Sequence, residues 1–299
     1  MNSQNRSKIL LALSMAIFGT LAPFVRSIPV SSGELALWRA VLAVCFIGIS
    51  LLVTGKKLPF ASIKRALPLL LASGMAMGIN WILLFEAYKY TTVSMATLSY
   101  YFAPVLVILI CPILFRERMT LMQIFCSVMS TVGLVLIIGI GDVSAEGTHL
   151  LGVLLGLGAA CFYASVILLN KFIKGVDGIS RTVFQFLAAI LILIPYVLLS
   201  GGVSFAQMTR TGWICLLVVG LIHTGLAYLL YFPSIKDLTG QTAALLSYID
   251  PLVAILISVF FLHEEITVLQ IIGGAMILGF TLLNELGDSI LPKKKEIKK

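Results

Sequence analysis

Ten uninterrupted apolar runs, each close to the length that crosses a lipid bilayer, dominate this sequence. They fall at roughly residues 8–25, 34–53, 66–88, 93–115, 121–140, 149–172, 180–200, 212–234, 240–262 and 267–286. A hydrocarbon core about 30 Å thick is spanned by about 20 helical residues. The links between runs are short and leave no room for a separate soluble domain. Composition agrees, with 60% hydrophobic and 11% charged residues, whereas soluble domains are roughly 45–50% apolar and about 25% charged. A soluble monomer has no means of hiding that much apolar surface. The expected fold class is therefore an all-α membrane protein with ten transmembrane helices.

The basic residues give the expected orientation. With a cytoplasmic N-terminus, the inner segments hold Arg6, Lys8, Lys56, Lys57, Lys64, Arg65, Arg116, Arg118, Lys171, Lys174, Arg181, Lys236 and five lysines of the tail. The outer side holds only Arg26, Arg39, Lys89 and Arg210. Inner loops of membrane proteins are enriched in Lys and Arg, so both termini are expected inside, with the chain in the cytoplasmic (inner) membrane. The net charge of +8 is thus a topological signal. It lacks the clustered basic face with stacking aromatics that nucleic-acid binding requires, and no nucleic-acid partner is expected. The N-terminal stretch is basic and then apolar, as in a secretory leader. It is too long for one and lacks an A-x-A site, so it reads as the first membrane helix.

The chain also repeats. When it is shifted by 147 residues, KYTTVSMATLSYYFAPVLVILICPILFRERMTLMQI lies ungapped over KDLTGQTAALLSYIDPLVAILISVFFLHEEITVLQI. Lys89 meets Lys236, Ala96 meets Ala243, Tyr101 meets Tyr248, Pro104 meets Pro251, Glu117 meets Glu264, Thr120 meets Thr267 and Gln123 meets Gln270. The expected domains are residues 1–143, carrying helices one to five, and 144–299, carrying helices six to ten and a basic tail. Five is odd, so the second half enters the membrane from the opposite side. The loops fit, since RER in the first copy is basic and HEE in the second is acidic. An inverted repeat suits a secondary transporter, whose halves rock about a midplane site.

These residues resemble the EamA type of the drug/metabolite transporter superfamily. The resemblance rests on Ala87, Tyr90, Ala96, Leu98, Tyr101, Pro104, Val105, Glu117, Arg118 and Thr120. A second set comprises Ala243, Leu245, Tyr248, Pro251, Leu252, Glu264 and Thr267, and WRAVLA at Trp38–Ala43 adds to it. The resemblance implies a bundle able to act as a monomer that moves small organic solutes, often outward. It places helices one, three, four, six, eight and nine around a central cavity and helices five and ten at the periphery. His263 and Glu265 depart from the pattern, because basic residues flank the first copy's glutamate.

The most unusual residue is Asp250, set with Pro251 near the middle of an apolar run. A charge at the bilayer centre costs about 2.5–3.5 kcal/mol or more. Pro251 removes a backbone donor and crowds the Ser247 carbonyl, which is tolerable only inside protein or beside water. Both features turn the segment toward a cavity. The first copy has Ala103 before Pro104, so both prolines are expected to kink their helices and the acid belongs to one copy. Asp250 has three readings: contact to a substrate amine, proton carriage, or pairing with another helix. His223 lies at similar depth and is a candidate partner; it is equally read as bonding a backbone carbonyl. Arg39 and Glu86, both near the outer side, are candidates for a gate, a carboxylate clamp or an interfacial ion pair. Tyr101, Tyr248, Trp81, Asn80 and Tyr228 are candidate walls of a substrate site, since Tyr and Trp combine flat apolar faces with one polar handle. Gly152, Gly156 and Ala160 are expected to serve helix packing.

No P-loop, HExxH or GxSxG pattern is present. The five cysteines all lie in apolar runs without CxxC spacing. No cofactor or metal is expected, and enzyme activity is not. The expected function is alternating-access transport, in the export direction, of small amphipathic metabolites such as amino acids or related amines. The alternatives are a flippase for a lipid-linked or nucleotide-linked intermediate and a membrane enzyme. Expected partners are a small-molecule substrate, protons and membrane lipids, with the chain acting as a monomer or homodimer.

Overall fold

Inside a bilayer every backbone N–H and C=O must be satisfied by the chain itself, and an apolar α-helix meets that demand. The computed structural model describes residues 3–55, 58–115, 119–138, 148–236, 238 and 240–290. Glu117, Arg118, most of the 141–149 loop and the lysine tail, which carried part of the topology and repeat arguments, lie outside the described residues. The described residues form helices and turns, with no strand among them. In order they are α1 (Ser3–Gly19), α2 (Leu21–Arg26), α3 (Ser32–Thr54), α4 (Phe60–Tyr90), α5 (Val93–Tyr100), α6 (Ala103–Phe115), α7 (Leu121–Ile138), α8 (Thr148–Phe172) and α9 (Gly178–Leu199). Then come α10 (Arg210–Leu217), a π-helical stretch (Val218–Leu226), α11 (Ala227–Lys236), α12 (Gly240–Ser247), α13 (Ile249–Leu256), a second π-helical stretch (Ile257–Phe261) and α14 (Val268–Ile290).

Seven segments of the described chain are long and apolar enough to cross a membrane: Gln4–Arg26, Ser32–Thr54, Phe60–Tyr90, Val93–Cys111, Thr148–Phe172, Gly178–Leu199 and Arg210–Ile235. Shorter apolar helices lie at Leu121–Ile137, Leu245–Phe261 and Val268–Asn284. Side-chain caps fix several starts. Ser31, Thr92, Asp177 and Thr209 accept from the backbone N–H groups of Glu34, Met95, Ser180 and Gly212, which relieves donors that a helix N-terminus leaves unpaired.

Three of the ten apolar runs are not continuous helices. The run at 8–25 is interrupted at Thr20, the run at 93–115 at Tyr101 and Phe102, and the run at 240–262 at Tyr248. Each break precedes a proline, Pro23, Pro104 or Pro251, that cannot donate to the turn before it. Pro251 therefore sits in the first turn of a new helix, where proline is tolerated. Asp250 shares that turn, where the helix dipole favours negative charge.

The pairings that build the bundle join chain before residue 139 to chain after residue 147. α4 packs on α8 and α9, α3 on α9 and the first π-helical stretch, α1 on α11, α12 and α13, α5 on α8 and α13, and α7 on α14. Small residues permit the closest approaches. A Cβ at Gly74 would stand 2.3 Å from the Gln185 carbonyl oxygen, and one at Gly152 would stand 2.6 Å from Thr91 Cβ. Outward-facing side chains such as Leu121 and Leu199, 87% and 89% exposed, give the bundle an apolar coat.

Candidate functional site

The break between α12 and α13 falls at Tyr248, two residues before Asp250 in the first turn of α13, and the break between α5 and α6 carries Tyr101. The two breaks meet. Tyr101 Oη donates a hydrogen bond of 2.6 Å to Asp250 Oδ2. The Tyr101 ring lies 5.9 Å edge-on from Tyr100, whose ring is 5.2 Å from that of Tyr163 on α8. Asp250, Tyr100, Tyr101 and Tyr248 are all partly buried.

Arg39 lies on α3. It is only 4% exposed, and its guanidinium carbon lies 4.7 Å from the centre of the Trp81 ring and 5.5 Å from that of Phe85. Its Nε donates to Thr224 Oγ1 at 2.7 Å. The Thr224 hydroxyl in turn donates to the Val219 carbonyl at 2.8 Å. That carbonyl lies five residues back, the reach of a π-helical turn. No nitrogen–oxygen approach within 4.0 Å joins Arg39 and Asp250 as an ion pair.

The other expected site residues divide. Trp81, 5% exposed, lies under Arg39 and packs edge-on against Phe186 at 5.2 Å. Phe186 also packs on Tyr228 at 5.4 Å, and Tyr228 meets Phe18 of α1 at 5.2 Å. Asn80 Nδ2 donates to the Ala159 carbonyl at 2.6 Å and fastens α4 to α8. His223 is not bonded to Asp250. Its Nε2 lies 3.1 Å from Thr20 Oγ1, and its Nδ1 lies 3.3 Å from the Val218 carbonyl oxygen.

The expected pairing of Arg39 with Glu86 is not made. Glu86 Oε2 instead accepts from Ser32 at 2.6 Å and from Lys89 at 2.9 Å. Arg39 lies one helical turn deeper than Glu34, on the face of α3 that meets the first π-helical stretch. Glu86 sits in the last turn of α4, within reach of Lys89 at i+3.

The contacts of three charged residues, Glu264, Arg26 and Glu34, were not anticipated. Glu264 accepts from Arg26, from Ser258 Oγ and, at 2.8 Å, from the backbone N–H of Val93 at the start of α5. Arg26 also donates to the carbonyls of Tyr88 and Thr91, each at 3.0 Å. Glu264 follows His263, whose φ of 53° places it in the left-handed region and turns the chain back over α5. Glu34 is fully buried and accepts from Ser204 N–H at 3.1 Å through both oxygens. The repeat had marked Glu264 by matching it to Glu117, but only as a topological sign.

No cluster of three or more metal-binding side chains occurs among the described residues. Among the described residues the interior holds the carboxylates of Asp250 and Glu34, the Arg39 guanidinium and a set of phenols and indole, inside a coat of apolar helices. That arrangement defines a multi-pass membrane protein with a polar centre. The chain belongs to the EamA-like transporter family, within the drug/metabolite transporter superfamily; the family model matches residues 6–139 and again 150–285. It is similar to an uncharacterized transporter of Bacillus subtilis, YxxF, with 31% identity over 94% of this chain and 91% of that one. An uncharacterized transporter of Archaeoglobus fulgidus is 29% identical over 91% of this chain and 94% of its own. Among solved structures, one crystal structure superposes with a TM-score of 0.66 at 17% identity, covering 94% of this chain and 97% of that one. That last likeness bears on the fold.

Proposed function

We propose that this protein is a secondary transporter of small amphipathic metabolites such as amino acids or related amines. It exports them across the inner membrane by alternating access. Ten helices form two five-helix halves, residues 1–143 and 144–299, of opposite orientation, with both termini cytoplasmic. The halves close around Asp250, which contacts the substrate amine and is the group through which a proton gradient acts. The chain works as a monomer or homodimer, with the substrate, protons and membrane lipids as its partners.

One observation carries the reading: the Tyr101–Asp250 hydrogen bond joins two helix interruptions that lie far apart in sequence. Broken helices in a membrane leave backbone groups and half-helix termini inside the protein, where transporters place their substrate and ion sites. A buried carboxylate there is costly unless it has work to do.

Flux of labelled amino acids and amines in proteoliposomes, with and without a pH gradient, tests the proposal. The expected result is saturable movement that responds to the gradient and requires Asp250. Movement of a lipid-linked or nucleotide-linked compound alone would replace this reading with that of a flippase. Turnover without vectorial movement would replace it with that of an enzyme.

A further inference from the structure

At the end of the bundle where α4 begins, α8 ends and α9 begins, five basic residues converge. Lys64 and Arg65 lie in the second turn of α4, Lys171 in the last turn of α8, Lys174 in the loop and Arg181 in the first turn of α9. Packing brings these segments together. Ile63 and Ala66 of α4 share one buried cluster with Ile173 and Val176 of the loop, and Phe184 of α9 packs against it. A Cβ at Gly175 would stand 3.3 Å from Ser62 Oγ. Gln185 of α9 ties the three helices further in, its Nε2 donating to Ser73 Oγ and to Asn170 Oδ1, each at 2.7 Å. The basic side chains therefore stand on a fixed platform, and Lys64, Arg65, Lys171 and Lys174 are all exposed on its rim.

Little negative charge answers them. Across residues 58–76 and 163–185 the only acid is Asp177. Its carboxylate caps α9, accepting from the Ser180 N–H at 3.3 Å and from Ser180 Oγ at 2.5 Å. Lys64, Arg65 and Lys174 make no ion pair with a described residue. Arg181 donates to the Val176 carbonyl at 3.5 Å, and its buried Nε has no acceptor among the described residues.

An apolar track runs from the patch into the bilayer. Phe60, Lys64, Leu67, Leu71 and Met75 recur every three or four residues along α4 and so share one face. Phe60, Leu67 and Met75 on that face are 67%, 39% and 38% exposed. α4, α8 and α9 are each long and apolar enough to cross a membrane, which sets their charged ends at headgroup depth. A soluble phosphate compound would use the charges alone; a phospholipid uses the charges and the track.

We infer that this end of α4, α8 and α9 is a binding site for an anionic phospholipid. Its phosphate sits among Lys64, Arg65 and Lys174, and an acyl chain lies along the Phe60–Leu67–Met75 face. Basic pockets between membrane helices hold such headgroups. The inference needs only the membrane placement of these helices, and it narrows the lipids named as partners to one class at one place. A topological role requires basic residues on one side of the membrane, whereas a site requires that they converge. Arg6 and Lys8 supply the contrast: they are exposed on α1, which packs on α11, α12 and α13.

Purified protein in detergent is titrated with phosphatidylglycerol and, separately, with phosphatidylcholine, and bound lipid is read by native mass spectrometry. Phosphatidylglycerol is expected to bind more tightly, and its binding to weaken as salt rises. One basic residue beside an anionic headgroup is worth about fivefold in affinity. The double variant Lys64→Gln, Arg65→Gln should therefore lose roughly 25-fold in phosphatidylglycerol affinity, while Arg6→Gln, Lys8→Gln binds as the parent does. Lys64→Arg, Arg65→Lys keeps the charge and should keep the binding, which separates loss of charge from misfolding. Equal affinity for the two lipids, or equal losses in the two glutamine variants, overturns the inference. Competition by glycerol phosphate as effective as that of the lipid also overturns it and assigns the patch to a soluble phosphate compound. None of these outcomes decides the flux experiment, which tests transport separately.

Discussion

Tyr101 and Asp250 are 149 positions apart in sequence and 2.6 Å apart in space, joined by a phenol-to-carboxylate hydrogen bond. The contact ties the interruption of one apolar run to the interruption of another. A hydrogen bond to a charged group contributes about 1.5–3 kcal/mol. Tyr101→Phe is therefore expected to raise the half-saturating substrate concentration by roughly tenfold, about 1.4 kcal/mol, while leaving the maximal rate within a few-fold. Asp250→Asn is expected to remove amine-dependent flux and to leave the remainder independent of pH. Initial rates at several substrate concentrations and pH values separate the two variants.

Glu264 closes one end of the bundle by drawing Arg26, Ser258 and the Val93 N–H at the start of α5 together. In the proposed orientation this is the outer end. Glu264→Gln keeps the shape and removes the charge that Arg26 pairs with, and the loss of one partner of a part-buried pair costs about 1–3 kcal/mol. The variant is expected to rest more often with that end open. A cysteine introduced at Ser94 should then react faster with a membrane-impermeant thiol reagent added outside, compared with the same cysteine in the parent protein.

The approach of α4 to α9 depends on Gly74, where even a Cβ would meet the Gln185 carbonyl oxygen at 2.3 Å and Ala188 Cβ at 2.5 Å. Gly74→Leu forces these helices apart, and overpacking typically costs about 1–3 kcal/mol. The variant is expected to unfold at lower temperature in detergent. Gly48→Leu, at a position with nothing within 4 Å, should unfold as the parent does.

His223 makes its hydrogen bonds to Thr20 and the Val218 carbonyl and none to Asp250. His223→Gln is therefore expected to lower thermal stability modestly and to leave the pH dependence of flux in place. A pH profile flattened as strongly as by Asp250→Asn would return the histidine to a coupling role.

Much of the fold was legible in the sequence, because a lipid-facing helix must be apolar over its whole length and such runs stand out. The prolines announced disturbed helices, but the breaks fall earlier, at Tyr101–Phe102 and at Tyr248, since the missing donor and the ring disturb the preceding turn. Asp250 was conspicuous as a lone charge in an apolar run. Its tyrosine partner was only one aromatic candidate among several, because residue spacing along a chain does not tell which interruption meets which. Arg39 was visible as a charge, yet its partner Thr224 lies on a π-helical stretch that no proline or repeat in VVGLIHTGL foretells. Its supposed partner Glu86 has nearer donors in Ser32 and Lys89, a matter of side-chain geometry rather than of depth along the helix.

The most direct measurement is the accessibility of position 250. In a background with Cys45, Cys111, Cys126, Cys161 and Cys215 replaced by alanine, Asp250→Cys is exposed to a membrane-impermeant thiol reagent from each side of the membrane in turn. The account predicts labelling from both sides, with Leu256→Cys, on a half-exposed apolar position, left unlabelled. An Asp250→Cys protein that stays as unreactive as the Leu256→Cys control would contradict it.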